Sequence, residues 1–153
     1  MHDFYADTKS IPTKQMLESI LTASLGDEQK GEDATTAALE ARVAELLGKE
    51  AAVFMISGTM CNEIAVKVHC NPGDEVIVFS PYWVSFPEFV KMADAKPVLV
   101  NTLPENNFEP DFSDLESKIN QKIKGVIINS PSNPTGGVWS NDAIINLLKL
   151  AKK

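Results

Sequence analysis

Asn129-Ser130-Pro131-Ser132-Asn133-Pro134-Thr135-Gly136 follows directly on the β-branched run Gly125-Val126-Ile127-Ile128. The run has the composition of a buried strand, so the octet reads as the loop leaving its carboxyl end. Two prolines and a glycine stiffen that loop. Asn133 then carries a donor amide on a rigid turn. In open α/β sheets, ligands bind at the carboxyl ends of the strands, and such an amide suits a flat, polar ligand. An ordinary strand-exit loop has the same features, and spacing alone does not separate the two.

Upstream, strand-like runs alternate with helical stripes. Ala51-Ala52-Val53-Phe54-Met55-Ile56 is continuously apolar and predicts a strand buried on both faces. Ser57-Gly58-Thr59 turns it into a helix carrying Ile64 and Val68, and Pro72-Gly73 leads to a second strand, Glu75–Phe79. A helix near Phe86–Met92 precedes a strand at 97–102. A helix near Phe112–Ile119, with Ser113 and Glu116 at capping-box spacing, precedes a strand at 124–129. Ser140 caps a last helix through Ile144, Leu147, Leu148 and Ala151. The alternation predicts an α/β fold: a three-layer α/β/α sandwich around a mainly parallel sheet of four strands.

Before these units lies an arm of helices at 1–50, and residues 51–153 form the βα units of what reads as one domain. Thr13 is expected to cap a helix bearing Met16, Leu17, Ile20 and Leu21. Asp33 is expected to cap a second, bearing Leu39, Val43, Leu46 and Leu47 and stopped by Gly48.

Composition narrows the function. With 153 residues the chain can bury a real core, and 44% apolar and 23% charged residues are ordinary for a globular protein. A net charge of -7 argues against nucleic acid or an anionic membrane as partner. No apolar run nears the ~20 residues of a membrane span. Met1-His2-Asp3-Phe4 lacks the regions of a signal peptide. Cys61 and Cys70, nine residues apart on one helix, would stand roughly 13 Å apart, too far for a disulfide. Free thiols suit a reducing compartment, and a cytoplasmic location is expected. His69 beside Cys70 has no metal-ligand spacing, so no metal is expected.

Two more strand exits carry candidate residues. At Ser57-Gly58-Thr59-Met60 a strand enters a helix through two hydroxyls and a glycine, offering backbone N–H groups and the positive end of a helix dipole to an anion such as phosphate. The same residues also cap helices for structural reasons alone. In Pro81-Tyr82-Trp83-Val84-Ser85, Trp83 offers a flat face for stacking on a heteroaromatic ring, or packs at the sheet edge. Ser57, Gly58, Thr59, Trp83 and Asn133 would all meet at one sheet edge, as phosphate cradle, ring stacker and polar anchor.

The octet resembles the Asn-Pro-Thr-Gly motif of class I aminotransferases, which use pyridoxal 5′-phosphate (PLP). Residues from about Gly73 to Lys149 resemble an aspartate-type aminotransferase of that class, through Ser80–Ser85, Glu105-Asn106-Asn107-Phe108 and Asn129–Gly136. Residues from about Asp3 to Ile77 resemble a threonine aldolase of the β-eliminating lyase family. The matching stretches are Ala6-Asp7-Thr8, Pro12-Thr13, Gly26-Asp27, Gly31-Glu32-Asp33, Leu46–Ala52, Ser57–Met60 and Pro72–Ile77. Both families share the fold type I large domain of PLP enzymes. By this resemblance Ser57, Gly58 and Thr59 hold the PLP phosphate, Trp83 stacks on the pyridine ring, and Asn133 bonds its phenolic oxygen. An amino acid is the implied substrate, and a second copy of the chain is a candidate partner.

The departures carry equal weight. The aldolases have a serine where Ala6 stands and an aromatic where Lys30 stands, and their PLP-stacking histidine gives way here to the segment bearing Trp83. In both families the aspartate on the pyridine nitrogen, the Schiff-base lysine and the substrate-binding arginine lie beyond the Asn-Pro-Thr-Gly strand. Lys149, Lys152 and Lys153 fall on or after the last helix instead, so no catalytic lysine is assigned. The two halves read as different subfamilies joined at a shared strand, as in a recombinant, a designed hybrid or an unusual natural gene, and the chain reads as truncated. The first strand would then lack its family neighbours and must find a new partner, pair with another copy, or leave an apolar edge exposed. Three readings follow: a piece of a PLP enzyme, a non-catalytic module binding PLP or phosphate, and an α/β domain with no ligand.

Overall fold

Val76, Ile77, Val78 and Phe79 alternate in direction along one strand, and all four are buried. In the computed structural model, which describes residues 9–152, they form the centre of a three-stranded parallel sheet of order β2-β1-β3. The strands are β1 (Glu75–Ser80), β2 (Lys96–Asn101) and β3 (Ile123–Ile127). β1 pairs in register with β2 from Glu75↔Lys96 to Ser80↔Asn101, and with β3 through Ile77↔Val126 after an irregularity at Glu75/Val76.

The chain divides into two compact units, Met1–Met55 and Ile56–Lys153. In the first, α1 (Lys14–Thr22) and α2 (Ala34–Leu47) start where the sequence places their caps: Thr13 and Asp33 accept from the N–H of Met16 and Thr36. Gly48, at φ 61°, ends α2 in a left-handed cap. Asp33 is held below the usual carboxylate range, chiefly by the Thr36 N–H. Of the described residues in this unit only Ala44 is buried, and the α1 stripe of Met16, Leu17, Ile20 and Leu21 is exposed. The Ala6-Asp7-Thr8 motif lies outside the described residues, as does Lys153.

The second unit has the expected three layers. The faces of β1 send Ile77 and Phe79 one way and Val76 and Val78 the other. The first pair, with Val100, packs under α5 (Phe112–Lys118) and α6 (Asn141–Leu150) through Leu115, Ala143 and Leu147. The second pair packs under α4 (Ser85–Met92) through Val90, with Val66 of α3 (Gly58–His69) against the same cluster. Leu115, Val90 and Val100 are wholly excluded from solvent. Cys61 and Cys70 of the α3 segment are free thiols.

Two expectations are corrected. Residues 51–56 form no strand: the run pairs with no other strand, Phe54 N donating instead to Glu40 Oε1 at 2.7 Å, and Val53 and Ile56 are 71% and 88% exposed. A strand exists only through its neighbour's hydrogen bonds, and β-branched apolar character alone cannot supply one. The sheet therefore has three strands, not four. The cap of α5 is Asp111, which accepts from the N–H of Ser113 and Asp114, rather than a Ser113–Glu116 box.

Candidate functional site

The loops leaving β1 and β3 meet at the carboxyl end of the sheet. Each opens on a cis proline bond, Ser80-Pro81 and Ser130-Pro131, and a third lies at Asn133-Pro134. The Asn129–Gly137 loop is closed by its own hydrogen bonds. Asn129 Oδ1 accepts from Asn133 N at 2.7 Å, Ser132 O accepts from Gly136 N at 2.7 Å, and Ser132 N donates to Gly137 O at 2.9 Å. Gly136 takes a φ of 74°, which a side chain would resist.

Trp139 clamps this loop from below. It is 6% exposed, and its backbone N–H donates to Ser130 Oγ at 2.9 Å. Its indole Nε1 donates to Phe108 O at 2.9 Å, while its ring meets Phe79 edge-on at 4.8 Å. Phe108 and Asn107 both have positive φ, 57° and 50°, so their turn is held from outside. Gly137 presses on the same turn: a Cβ there would stand 3.0 Å from Asn107 O.

Above Trp139 sits a cleft of ≈ 20 Å³, lined among others by Tyr82, Thr102, Asn129, Ser132 and Asn133. Thr102 is buried, and its hydroxyl donates to Ser80 O at 2.9 Å, fixing the floor. Asn133 is exposed at the rim, and its side-chain amide makes no hydrogen bond among the described residues. Of the five expected site residues, Asn133 alone lines this cleft.

Ser57, Gly58 and Thr59 lie at the amino end of α3 and are exposed. Ser57 is the N-cap, its Oγ accepting from Met60 N at 3.2 Å. The N–H groups of Gly58 and Thr59 make no hydrogen bond among the described residues, and a Cβ on Gly58 would meet nothing within 4 Å. They are the free donors that an anion at a helix start uses. Trp83 is half-buried, and its ring sits edge to face with Phe86 at 5.5 Å and Phe89 at 5.8 Å. The aromatic packing and the N-cap are the structural roles that these residues also permit.

Tyr82, Thr102, Asn129 and Trp139 contribute to the cleft without having been singled out from sequence. Tyr82 and Asn129 stand inside the quoted strand-exit motifs, so position beside Trp83 and Asn133 was the available signal. Trp139 sits in a loop, without periodicity to mark it as buried. Burial, then the Asp74 charge, pushes the Cys70 thiol up from its ordinary value. No group of three or more His, Cys, Asp or Glu among the described residues could hold a metal.

The chain has a parallel sheet with helices on both faces and polar strand-exit loops at its carboxyl end, and comparison with known proteins places it in the PLP-dependent fold type I superfamily of aminotransferases and lyases. The family model described as "Beta-eliminating lyase" matches residues 3–153, and the chain belongs to that family. It is 48% identical over 81 residues to an aspartate/prephenate aminotransferase of Thermus thermophilus, covering 53% of this chain and 21% of that protein. It is 46% identical over 85 residues to an aspartate aminotransferase of Bacillus sp. (strain YM-2), covering 56% and 22%. A solved aspartate aminotransferase of Thermotoga maritima superposes with a TM-score of 0.66 at 34% identity, over 76% of this chain and 32% of that one. The chain thus spans about a fifth of the length of the curated relatives it matches.

The donors fit PLP in kind: unused N–H groups at a helix start for a phosphate, an indole, and a free carboxamide for an oxygen. They do not fit it as a closed pocket, because ≈ 20 Å³ admits roughly one water and no pyridine ring.

Proposed function

We propose that the chain is the amino-terminal portion of the large domain of a class I-like, PLP-dependent aminotransferase, with a threonine-aldolase-like first half, and that by itself it binds PLP reversibly without turning over amino acids. The observation that carries this reading is the free carboxamide of Asn133 at the rim of the strand-end cleft, on a loop whose backbone is fixed by Asn129 and Trp139. PLP, where bound, supplies an electron sink for amino-acid chemistry. The protein's part would be limited to holding it. Gly58 and Thr59 N–H would take the phosphate, Trp83 would stack on the ring, and Asn133 would donate to an oxygen.

No described lysine occupies a strand-end position that could serve the cofactor. Lys149 lies on α6 and donates to Asn146 Oδ1 at 3.4 Å. Lys124, on β3, lines the hollows flanking that strand rather than the strand-end cleft. A cytoplasmic setting suits the two free thiols, and no described helix is long and apolar enough to cross a membrane.

The test is turnover of aspartate, alanine or threonine by the purified chain with PLP, followed by borohydride reduction and peptide mass mapping. Rates equal to free PLP and no site-specific lysine adduct are expected. Turnover above free PLP, abolished by one Lys→Ala change, would refute the proposal.

A further inference from the structure

Helix α6 begins with half of a capping box. Ser140 Oγ accepts from Ala143 N at 3.1 Å, which is the part of the N-cap serine. The other half needs a Glu or Gln at the third helical position, reaching back to the Ser140 N–H. That position is Ala143, which is 3% exposed in the core cluster of Phe79 and Leu115, a place with no room for a carboxylate. Glu109, 31 residues earlier, takes the part instead, its Oε1 accepting from Ser140 N at 2.8 Å. An anion there also meets the positive end of the helix dipole.

Ser140 is exposed, so water would satisfy its N–H if Glu109 were lost. The bond matters for what it ties together. Glu109 ends a turn that is fixed from its own side. Phe108 N donates to Leu103 O at 3.0 Å, Glu109 N donates to Asn106 O at 2.9 Å, and the buried Pro110 bridges to Thr102. The segment leaving the Asn129–Gly137 loop meets this turn at three points. Gly137 leaves no room for a Cβ beside Asn107 O, the Trp139 indole donates to Phe108 O, and Ser140 N donates to Glu109. The first two contacts reach backbone atoms, and among the described residues only the third uses a side chain of the turn as acceptor. Trp139 N donates in turn to Ser130 Oγ at 2.9 Å, so the exit of the loop is tied back to its entrance. The Asn133 carboxamide is carried between those two fixed ends.

We propose that Glu109 is a positioning residue for Asn133: it supplies, from a distant turn, the missing half of the α6 capping box and so fixes the exit of the loop that carries the carboxamide. This rests on the reading that Asn133 helps to hold PLP, and it adds a residue that is absent from the lining of the cleft.

Three substitutions test it. Glu109→Ala removes the acceptor, Glu109→Asp keeps the charge but shortens the reach by a methylene, and Glu109→Gln keeps an acceptor oxygen at full reach. The first reading is nitrogen-15 relaxation of the chain without PLP. Alanine and aspartate should lower the order parameters of the 130–137 amides from about 0.85 towards about 0.6, while glutamine keeps them and the amides of β1 and β2 stay unchanged. The second is a fluorescence titration with PLP, made with and without Asn133→Ala. Glu109→Ala should weaken binding about threefold to tenfold in the parent. Beside Asn133→Ala it should have no effect, because its influence passes through that side chain. If circular dichroism shows that Glu109→Ala does not fold, Glu109→Asp takes its place in both readings. Loop amides as ordered in the alanine and aspartate variants as in the parent, or an equal loss of affinity in both backgrounds, would overturn the proposal. A parent that binds no PLP would refute the reading of the site, and the relaxation data would still decide whether Glu109 fixes the loop.

Discussion

Replacing Trp139 with phenylalanine separates the clamp under the Asn129–Gly137 loop from the core packing around it. Phenylalanine can keep an aromatic contact with Phe79, now edge-on at 4.8 Å, but it loses the indole N–H bond of 2.9 Å to Phe108 O. That bond contributes about 1 kcal/mol net, and more if Phe108 O is left unsatisfied. Removing part of a 6% exposed indole leaves a small void, adding roughly 1–2 kcal/mol by comparison with the 3–5 of full truncation to alanine. Phe108, at φ 57°, also loses a restraint on a strained backbone. The sum is a destabilisation of about 2–3 kcal/mol. Urea unfolding followed by fluorescence measures it, since the chain has two tryptophans and Trp83 then reports alone. The reasoning also requires faster amide exchange in the 129–137 loop. A loss below about 0.5 kcal/mol, the range of surface changes, would show that Trp139 is not the anchor described.

Leu115→Ala, at a side chain wholly excluded from solvent between β1, β2 and α6, should cost about 2–5 kcal/mol in the same assay. Asp114 is held below its ordinary value, first by its 2.6 Å bond to Lys118 Nζ and then by the Asn101 N–H. Its folded pKa therefore lies below its unfolded one. The stability it gives is complete above the ordinary carboxylate range and is lost as pH falls through that range to the folded value. Asp114→Asn should thus be less stable than the parent near neutrality, and the gap should close on acidification. A gap that stays constant with pH would exclude this coupling.

The three strands were legible because each is a short, β-branched run whose side chains find partners on both faces, as Val76 to Phe79 do. Thr13, Asp33, Ser57 and Ser140 were legible as caps because a cap is decided locally, within one turn. Residues 51–56 have the same apolar character as the real strands, but a strand is decided by its neighbour, which no local pattern encodes. Asp111 took the α5 cap from Ser113 because its carboxylate reaches two N–H groups at once. At the site, Asn133 was legible from its stiff loop. Trp139 and Thr102 were not, because their partners, Phe108 O and Ser80 O, lie 31 and 22 residues away.

The central proposal is that Gly58 and Thr59 at the start of α3, with Trp83 and Asn133, would hold PLP through its phosphate, without a covalent bond. Its most direct test is a fluorescence titration of the purified chain with PLP and with pyridoxal, which lacks the phosphate. Reversible quenching by PLP is expected at lower concentrations than by pyridoxal, with that preference reduced by Thr59→Ala and binding weakened by Trp83→Ala and Asn133→Ala. Equal affinity for the two compounds, or no saturable binding of either, would contradict it.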